Sequence, residues 1–381
     1  MIRNAFRFLF AVVLVVALLP AAAAPAAAVE TNAREAILMD FDTGHVLFAR
    51  KPDQSMPPAS MSKIMTVYAV FERLKQGELS LDDKFLVSEK AWRKGGSKMF
   101  VEVGNEVRVE DLLRGVIVQS GNDASIVLAE GIAGSEDAFA GMLTAKADEL
   151  GMDNSKFENA TGWPDPQHRT TARDLAILAK HIIQDFPEYY HYFSETEFTW
   201  NDIRQHNRNP LLGRNIGVDG LKTGHTQNAG YGLTASAERD GRRLILVVTG
   251  LDSAKARAQE AAKLLEWGFR EFDNYELFEA GETVEEAAVW LGEDPRVPLV
   301  APEDLMVTLQ RSQREAMEAT VTYESPIPAP IEKGERLATV RITAPEREAI
   351  EMPLEAGAAV GQLGPLGRIV ASVKFLVFGA P

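Results

Sequence analysis

Three short segments hold the residues whose types and spacing could do chemistry together: Ser60-Met61-Ser62-Lys63, Ser120-Gly121-Asn122 and Lys222-Thr223-Gly224. Three residues apart on a helix, Ser60 and Lys63 share a face, which brings an amine beside a hydroxyl. A serine hydroxyl is a weak nucleophile until a neighbouring base accepts its proton. Lysine can be that base near neutral pH only when burial or a second cation lowers its pKa, and Lys222 is a candidate for the second cation. Ser120 and Asn122 add a hydroxyl and an amide, and Lys222 adds a positive anchor for a substrate carboxylate. Each segment is weak alone: at ordinary composition a Ser-x-x-Lys arises about once in a chain of this length, and Ser-Gly-Asn by itself reads as a turn with a helix cap. Together, in this order, they describe acyl transfer.

The elements around them must present these groups at one place. Residues 64–71 are apolar apart from Thr66 and predict a buried helix with Ser60 in its first turn, after Pro57-Pro58-Ala59 ends an extended approach. There, free N–H groups and the helix dipole favour negative charge on an attacking or attacked oxygen. The apolar run 116–119 delivers Ser120-Gly121-Asn122 to a turn, and 124–132 resumes a helical pattern. Residues 231–237 alternate as a strand and 242–251 form a β-branched partner, joined at Asp240-Gly241. The segment 222–226 then reads as an edge strand that could bind an extended peptide by strand addition, with Gly224 letting the backbone approach the ligand. Residues 35–41 and 45–49 predict a hairpin, and 256–272 a long amphipathic helix. Strands at both ends with helices between them give a mixed α/β (α+β) domain over 29–273, an antiparallel sheet covered by helices.

With these segments in place the chain resembles the serine-type D-alanyl-D-alanine carboxypeptidases, the low-molecular-mass penicillin-binding proteins. The resemblance extends through Thr199-Trp200-Asn201, Arg204-Gln205, Asn207-Arg208-Asn209, Val218-Asp219-Gly220-Leu221 and Lys222-Thr223-Gly224-His225-Thr226, and covers almost the whole chain. It implies the penicillin-recognising serine acyltransferase fold. It also implies that Ser60 attacks the carbonyl between the last two D-alanines of a peptidoglycan stem peptide while Lys63 takes its proton. Ser120 and Asn122 would pass the proton to the departing D-alanine and hold the substrate amide. Backbone N–H groups of Ser60 and His225 would form the oxyanion hole. Lys222, Thr223 and Thr226 would receive the substrate carboxylate, with Arg208 and Arg257 as further candidates, and β-lactam antibiotics would acylate Ser60.

Composition and the chain ends favour an envelope enzyme. Arg3 and Arg7 precede an apolar stretch over 8–19, and 22–28 offers small residues, so 1–28 reads as a signal peptide. The net charge of −15, or −17 with 38 basic against 55 acidic residues once Arg3 and Arg7 are removed, speaks against nucleic acid. Zero cysteines place stability in the core rather than in disulfides. The six histidines, His45, His168, His181, His191, His206 and His225, are scattered without metal-ligand spacing, so neither a metal nor a cofactor is expected. His168, in a Pro-rich stretch, is expected at the surface.

After residue 272 short apolar runs broken by Gly and Pro predict a small all-β domain over 274–364, read as a spacer. In 365–381, Leu366, Ile369, Val370, Val373, Leu376 and Val377 fall on one helical arc, with Arg368, Ser372 and Lys374 off it. That is an amphipathic helix suited to a membrane surface and too short for the roughly 20 residues of a span. The expected location is the periplasmic face of the bacterial inner membrane. Three other readings stay open: a D,D-endopeptidase cutting cross-links, a β-lactamase, for which the Glu-x-x-Leu-Asn segment that commonly places the deacylating water is missing, and a non-catalytic penicillin binder.

Overall fold

The computed structural model describes residues 29–345 and 348–378; the expected signal peptide, 1–28, lies outside them. Among the described residues the principal sheet has five strands, β1 (Glu35–Asp40), β2 (Val46–Arg50), β3 (Val218–Thr226), β4 (Gly230–Arg239) and β5 (Arg242–Leu251). They are hydrogen-bonded in the order β2-β1-β5-β4-β3, antiparallel throughout. The hairpins expected at 35–49 and 231–251 are present, the second turning at Asp240 and Gly241, both at positive φ as a two-residue hairpin turn of matching twist requires. The segment 222–226 is on the edge strand β3, as the sequence predicts.

The sheet is buried on both faces. Ile37, Met39, Ile245 and Val247 join one continuous core with the helices of the intervening segment. That core contains α1 (Lys63–Lys75), α2 (Val109–Ile117), α3 (Asn122–Ala133), α4 (Glu136–Glu149) and α5 (Ala172–Asp185). On the opposite face lies α6 (Ala254–Glu271), where Gly268 sits so close to the sheet that a Cβ would meet Leu38 Cδ2 at 2.6 Å. Side-chain caps start two of these helices: Thr171 accepts from the Asp174 N–H at 3.0 Å and Ser253 from that of Ala256 at 3.0 Å. Helix α1 is buried on nearly every side, from Lys63 through Phe71, which marks it as the central helix of the layer.

The chain passes from α6 directly into β6 (Phe272–Phe278). Beyond it lie β7 (Thr283–Trp290), β8 (Arg296–Val300), β9 (Leu305–Gln310), β10 (Glu318–Tyr323), β11 (Ile327–Pro328), β12 (Arg336–Thr343) and β13 (Ile350–Ala356). Among the described residues β6 pairs with β9, and the others form a sheet in the order β10-β12-β13-β8-β7-β11 around their own core, including Val297, Leu299, Val340 and Leu354. This is the expected all-β unit. Helix α7 (Pro365–Phe378) closes the described chain with its apolar arc in the open: Leu366 is 81% and Leu376 82% exposed. No helix among the described residues is long and apolar enough to cross a membrane.

One buried ion pair links the two units. Asp40, at the end of β1, accepts from Arg242 Nε at 2.9 Å and from Asn274 Nδ2 of β6 at 3.1 Å, while Arg242 donates to the Phe272 carbonyl at 2.7 Å. Removing one partner of such a pair leaves a charge without compensation. Asp40→Ala is therefore expected to lower stability by about 3–5 kcal/mol, measured by urea unfolding; a loss near zero would show that water replaces the carboxylate.

Candidate active site

The expectation that Ser60 sits in the first turn of an α-helix is close but not met. It lies in a 3-10 turn, Ala59–Ser62, that leads into α1, whose first residue is Lys63. Pro58 precedes the turn in helical geometry, and Ala59 takes a positive φ of 49°. Positive φ is uncommon for a residue with a Cβ, so the turn depends on its packing.

Lys63 is fully buried, and its Nζ reaches three oxygens: Ser60 Oγ at 3.0 Å, Asn122 Oδ1 at 2.8 Å and the Thr161 carbonyl at 2.5 Å. Two of these, the amide oxygen and the carbonyl, can only accept. A neutral amine has two N–H bonds and one lone pair, so donating to both fixed acceptors leaves the lone pair facing the Ser60 hydroxyl. Burial lowers the Lys63 pKa to about 7, with help from the positive charges of Arg208 and Lys94 and opposed by Asp123 and Glu136. The neutral form that this geometry needs is thus accessible near neutrality.

Asn122 is held by its backbone and side chain together. Its N–H donates to the Ser97 carbonyl at 2.8 Å and its Nδ2 to the Gly95 carbonyl at 2.8 Å, which fixes the amide with Oδ1 toward Lys63. The loop that supplies these carbonyls is pinned by Asp123, buried, whose carboxylate accepts from the Met99 and Phe100 N–H groups at 2.8 Å each. Ser120 is buried just before α3 at a φ of 61°.

Lys222 is buried on β3, donating only a long bond, 3.3 Å, to the Thr223 carbonyl. Its pKa is pushed well below the ordinary lysine value, first by burial and then by Lys63, Arg208 and Arg257. Among the described residues no carboxylate lies within ion-pair distance of Lys63, Lys222, Arg208 or Arg257. Arg208, exposed, donates to the Ser97 hydroxyl. Arg257 is buried on α6, with its guanidinium 5.7 Å from the Tyr231 ring and its Nε without a partner. Tyr231 in turn stacks on His225 at 3.9 Å. Thr226 accepts from the Ala229 N–H at 3.1 Å, which keeps its hydroxyl proton available to donate.

Gly224 lies close against the turn that carries Ser60, where a Cβ would meet the Pro58 carbonyl at 3.0 Å and Met61 Cγ at 3.1 Å. One sequence expectation changes here. His168 is not a surface residue. It is 2% exposed, because its ring fills the space behind the turn and hydrogen-bonds Ser62. Sequence reasoning missed Thr161, Gly162 and Asp123. Asp123 adjoins a motif and was open to suspicion as a buried carboxylate, whereas Thr161 and Gly162 act through backbone position and leave no signal.

A family model for D-alanyl-D-alanine carboxypeptidases matches residues 21–253, and one for the C-terminal domain of penicillin-binding protein 5 matches 272–363. The chain is 40% identical to D-alanyl-D-alanine carboxypeptidase DacC of Escherichia coli strain K12, over 96% of this chain and 92% of that one. It is 39% identical to DacA of Haemophilus influenzae over 89% and 88%. Among solved structures, penicillin binding protein 5 from Haemophilus influenzae superposes with a TM-score of 0.79 at 39% identity, covering 87% of this chain and 98% of that one. Penicillin-binding protein D2 from Listeria monocytogenes in its ampicillin-bound form gives 0.58 at 31%, covering 63% and 98%. The class is therefore the penicillin-binding protein fold, an antiparallel sheet with helices followed by an all-β domain. Within it, the chain belongs to the D-alanyl-D-alanine carboxypeptidase family and is an enzyme of the serine peptidase type.

The Lys63 environment makes a direct prediction. In a chain labelled with 13C at the lysine ε carbons, one resonance should titrate near pH 7, the value to which burial lowers Lys63, and should vanish in Lys63→Arg. A Lys63 resonance titrating with the surface lysines would show that water reaches the amine.

Proposed function

We propose that this chain removes the terminal D-alanine from peptidoglycan stem peptides through an acyl-enzyme on Ser60. The observation that carries the reading is the pairing of Ser60 with a buried amine whose two N–H bonds are already committed to fixed acceptors. Neutral Lys63 takes the Ser60 proton as Oγ bonds to the carbonyl carbon, and the negative oxygen that forms is met by the N–H groups of Ser60 and His225. Collapse of this intermediate breaks the C–N bond, and the departing D-alanine nitrogen leaves with the proton that Lys63 took from Ser60, passed on through the Ser120 hydroxyl, while Asn122 holds the substrate amide. Water then attacks the ester, returns a proton to Ser60 and frees the shortened peptide.

The cluster of Lys222, Arg208 and Arg257 supports recognition of a free carboxylate. Lys222 and Arg257 are buried without a counter-ion, which is costly, and Arg208 adds its charge from the exposed side; a substrate carboxylate beside Thr223 and Thr226 supplies the missing charge. Only a peptide ending there does so, which favours carboxypeptidase action over cutting inside a chain. β-Lactams, which the Listeria relative binds in its ampicillin and cefotaxime forms, would acylate the same serine.

In this reading 1–28 exports the chain, 29–273 is catalytic, 274–364 is a β-rich spacer, and 365–381 rests on the periplasmic face of the inner membrane. The exposed arc of α7 supports the last step, since apolar side chains along one stripe gain free energy by entering the headgroup region while Arg368 and Lys374 meet anionic lipid.

Ser60→Ala is expected to abolish D-alanine release and labelling by a fluorescent penicillin with the thermal melt unchanged. Label retained on another residue would remove Ser60 as nucleophile. Deleting 366–381 should move the protein from the membrane pellet to the supernatant at unchanged specific activity, and a truncated protein that still pellets would place the attachment elsewhere.

A further inference from the structure

Behind the nucleophile turn lies a buried contact that takes no direct part in the chemistry above. His168 Nε2 is 2.8 Å from Ser62 Oγ, and the Glu158 N–H donates to His168 Nδ1 at 3.3 Å. A ring nitrogen that accepts carries no proton, so the neutral imidazole holds its hydrogen on Nε2 and donates it to Ser62. Burial lowers the His168 pKa to about 4, keeping the ring neutral where the enzyme works.

His168 thereby ties residues 158–168 to the turn that carries Ser60. The tied segment fits tightly. Its Ala160 carbonyl accepts from Thr66 Oγ1 at 2.8 Å, its Thr161 carbonyl accepts from Lys63, and a Cβ on Gly162 would meet the Ala59 carbonyl oxygen at 1.8 Å. Of these contacts, the bond from Lys63 to Thr161 is the one that bears on the chemistry. The Thr161 carbonyl is one of two acceptors that orient the amine, and it belongs to a loop with no regular structure of its own.

We propose that His168 is a positioning residue for acyl transfer: by bridging the Glu158 N–H to Ser62, it holds the Thr161 carbonyl where it directs the lone pair of Lys63 at Ser60. The inference rests on reading Ser60 and Lys63 as nucleophile and base. The charged groups acting on Lys63 are Arg208, Lys94, Asp123, Glu136 and Lys222, and those acting on His168 are Asp165, Glu158 and Lys63 itself. Replacing a neutral ring by phenylalanine alters none of them. A change in the titration of Lys63 would then report a loosened loop and entering water. Water solvates the ammonium and substitutes for the lost carbonyl, so the Lys63 pKa rises and activity fails at a higher pH on the acid side.

The test measures the second-order rate of acylation by labelled penicillin against pH for the full chain, with His168→Phe, His168→Gln and Ser62→Ala, and a thermal melt for each. His168→Phe should acylate about 10-fold or more slowly, and its acid limb should move up by about half a pH unit or more. His168→Gln, whose amide can still donate to Ser62, should recover part of both. A folded His168→Phe with an unmoved acid limb overturns the proposal, whatever its rate. If that variant does not fold, Ser62→Ala decides, because it keeps the ring and removes its acceptor: an upward limb supports the proposal and an unmoved one overturns it. Peptide mapping of the label on the unsubstituted chain separates the two levels, since label away from Ser60 overturns the nucleophile assignment and with it the role of His168.

Discussion

Lys63 has to be buried before it can be neutral near pH 7, and once buried it has to be hydrogen-bonded, and much of the catalytic unit follows from those two demands. Burial comes from making α1 the central helix, apolar on nearly every side. An amine in such a place costs several kcal/mol as an ammonium, so the site keeps it neutral and gives it acceptors. Those acceptors arrive from two separate parts of the chain, Asn122 at the start of α3 and Thr161 in an irregular loop. Each then needs support: Asp123 pins the loop that orients Asn122, and His168 and Gly162 set the segment that carries Thr161.

The same logic explains why unpaired cations are tolerated. Beyond burial, Arg208 and Arg257 lower the proton affinity of Lys222, and Arg208 lowers that of Lys63. Such an arrangement is unfavourable for stability, and in the proposed reading the substrate carboxylate is the group that relieves it. The rest of the molecule bears this cost through a sheet covered on both faces and a buried Asp40–Arg242 pair at the junction with the β-rich unit.

Glycine has a packing role at two points of this site. Gly224 lets the edge strand lie against the nucleophile turn, and Gly162 lets the loop behind it do the same. The turn that carries Ser60 is therefore approached from two sides by backbone without a Cβ, at Pro58 and Met61 by Gly224 and at Ala59 by Gly162. In the proposed reading, the strand edge beside the serine offers its outward backbone groups to an extended substrate.

Much of this was legible in residues alone. The order Ser-x-x-Lys, Ser-Gly-Asn, Lys-Thr-Gly pointed to groups that the fold brings together at Lys63, the apolar run after Lys63 gave the buried helix, alternation with Asp240-Gly241 gave the β4–β5 hairpin, and period 3.6 gave the tail helix. The motifs, helices and hairpin are local patterns, each read within one short stretch of chain, and only the order of the three motifs runs from residue 60 to residue 224. What tertiary structure alone decided is the environment of those groups: the Thr161 carbonyl on Lys63 across 98 positions, His168 on Ser62 across 106, and Gly224 against Pro58. A backbone carbonyl is the same in every residue, and a histidine in a Pro-rich loop looks like a surface residue. Sequence pattern therefore names the candidate reacting groups, and only the packed chain determines their state of protonation and the direction in which they face.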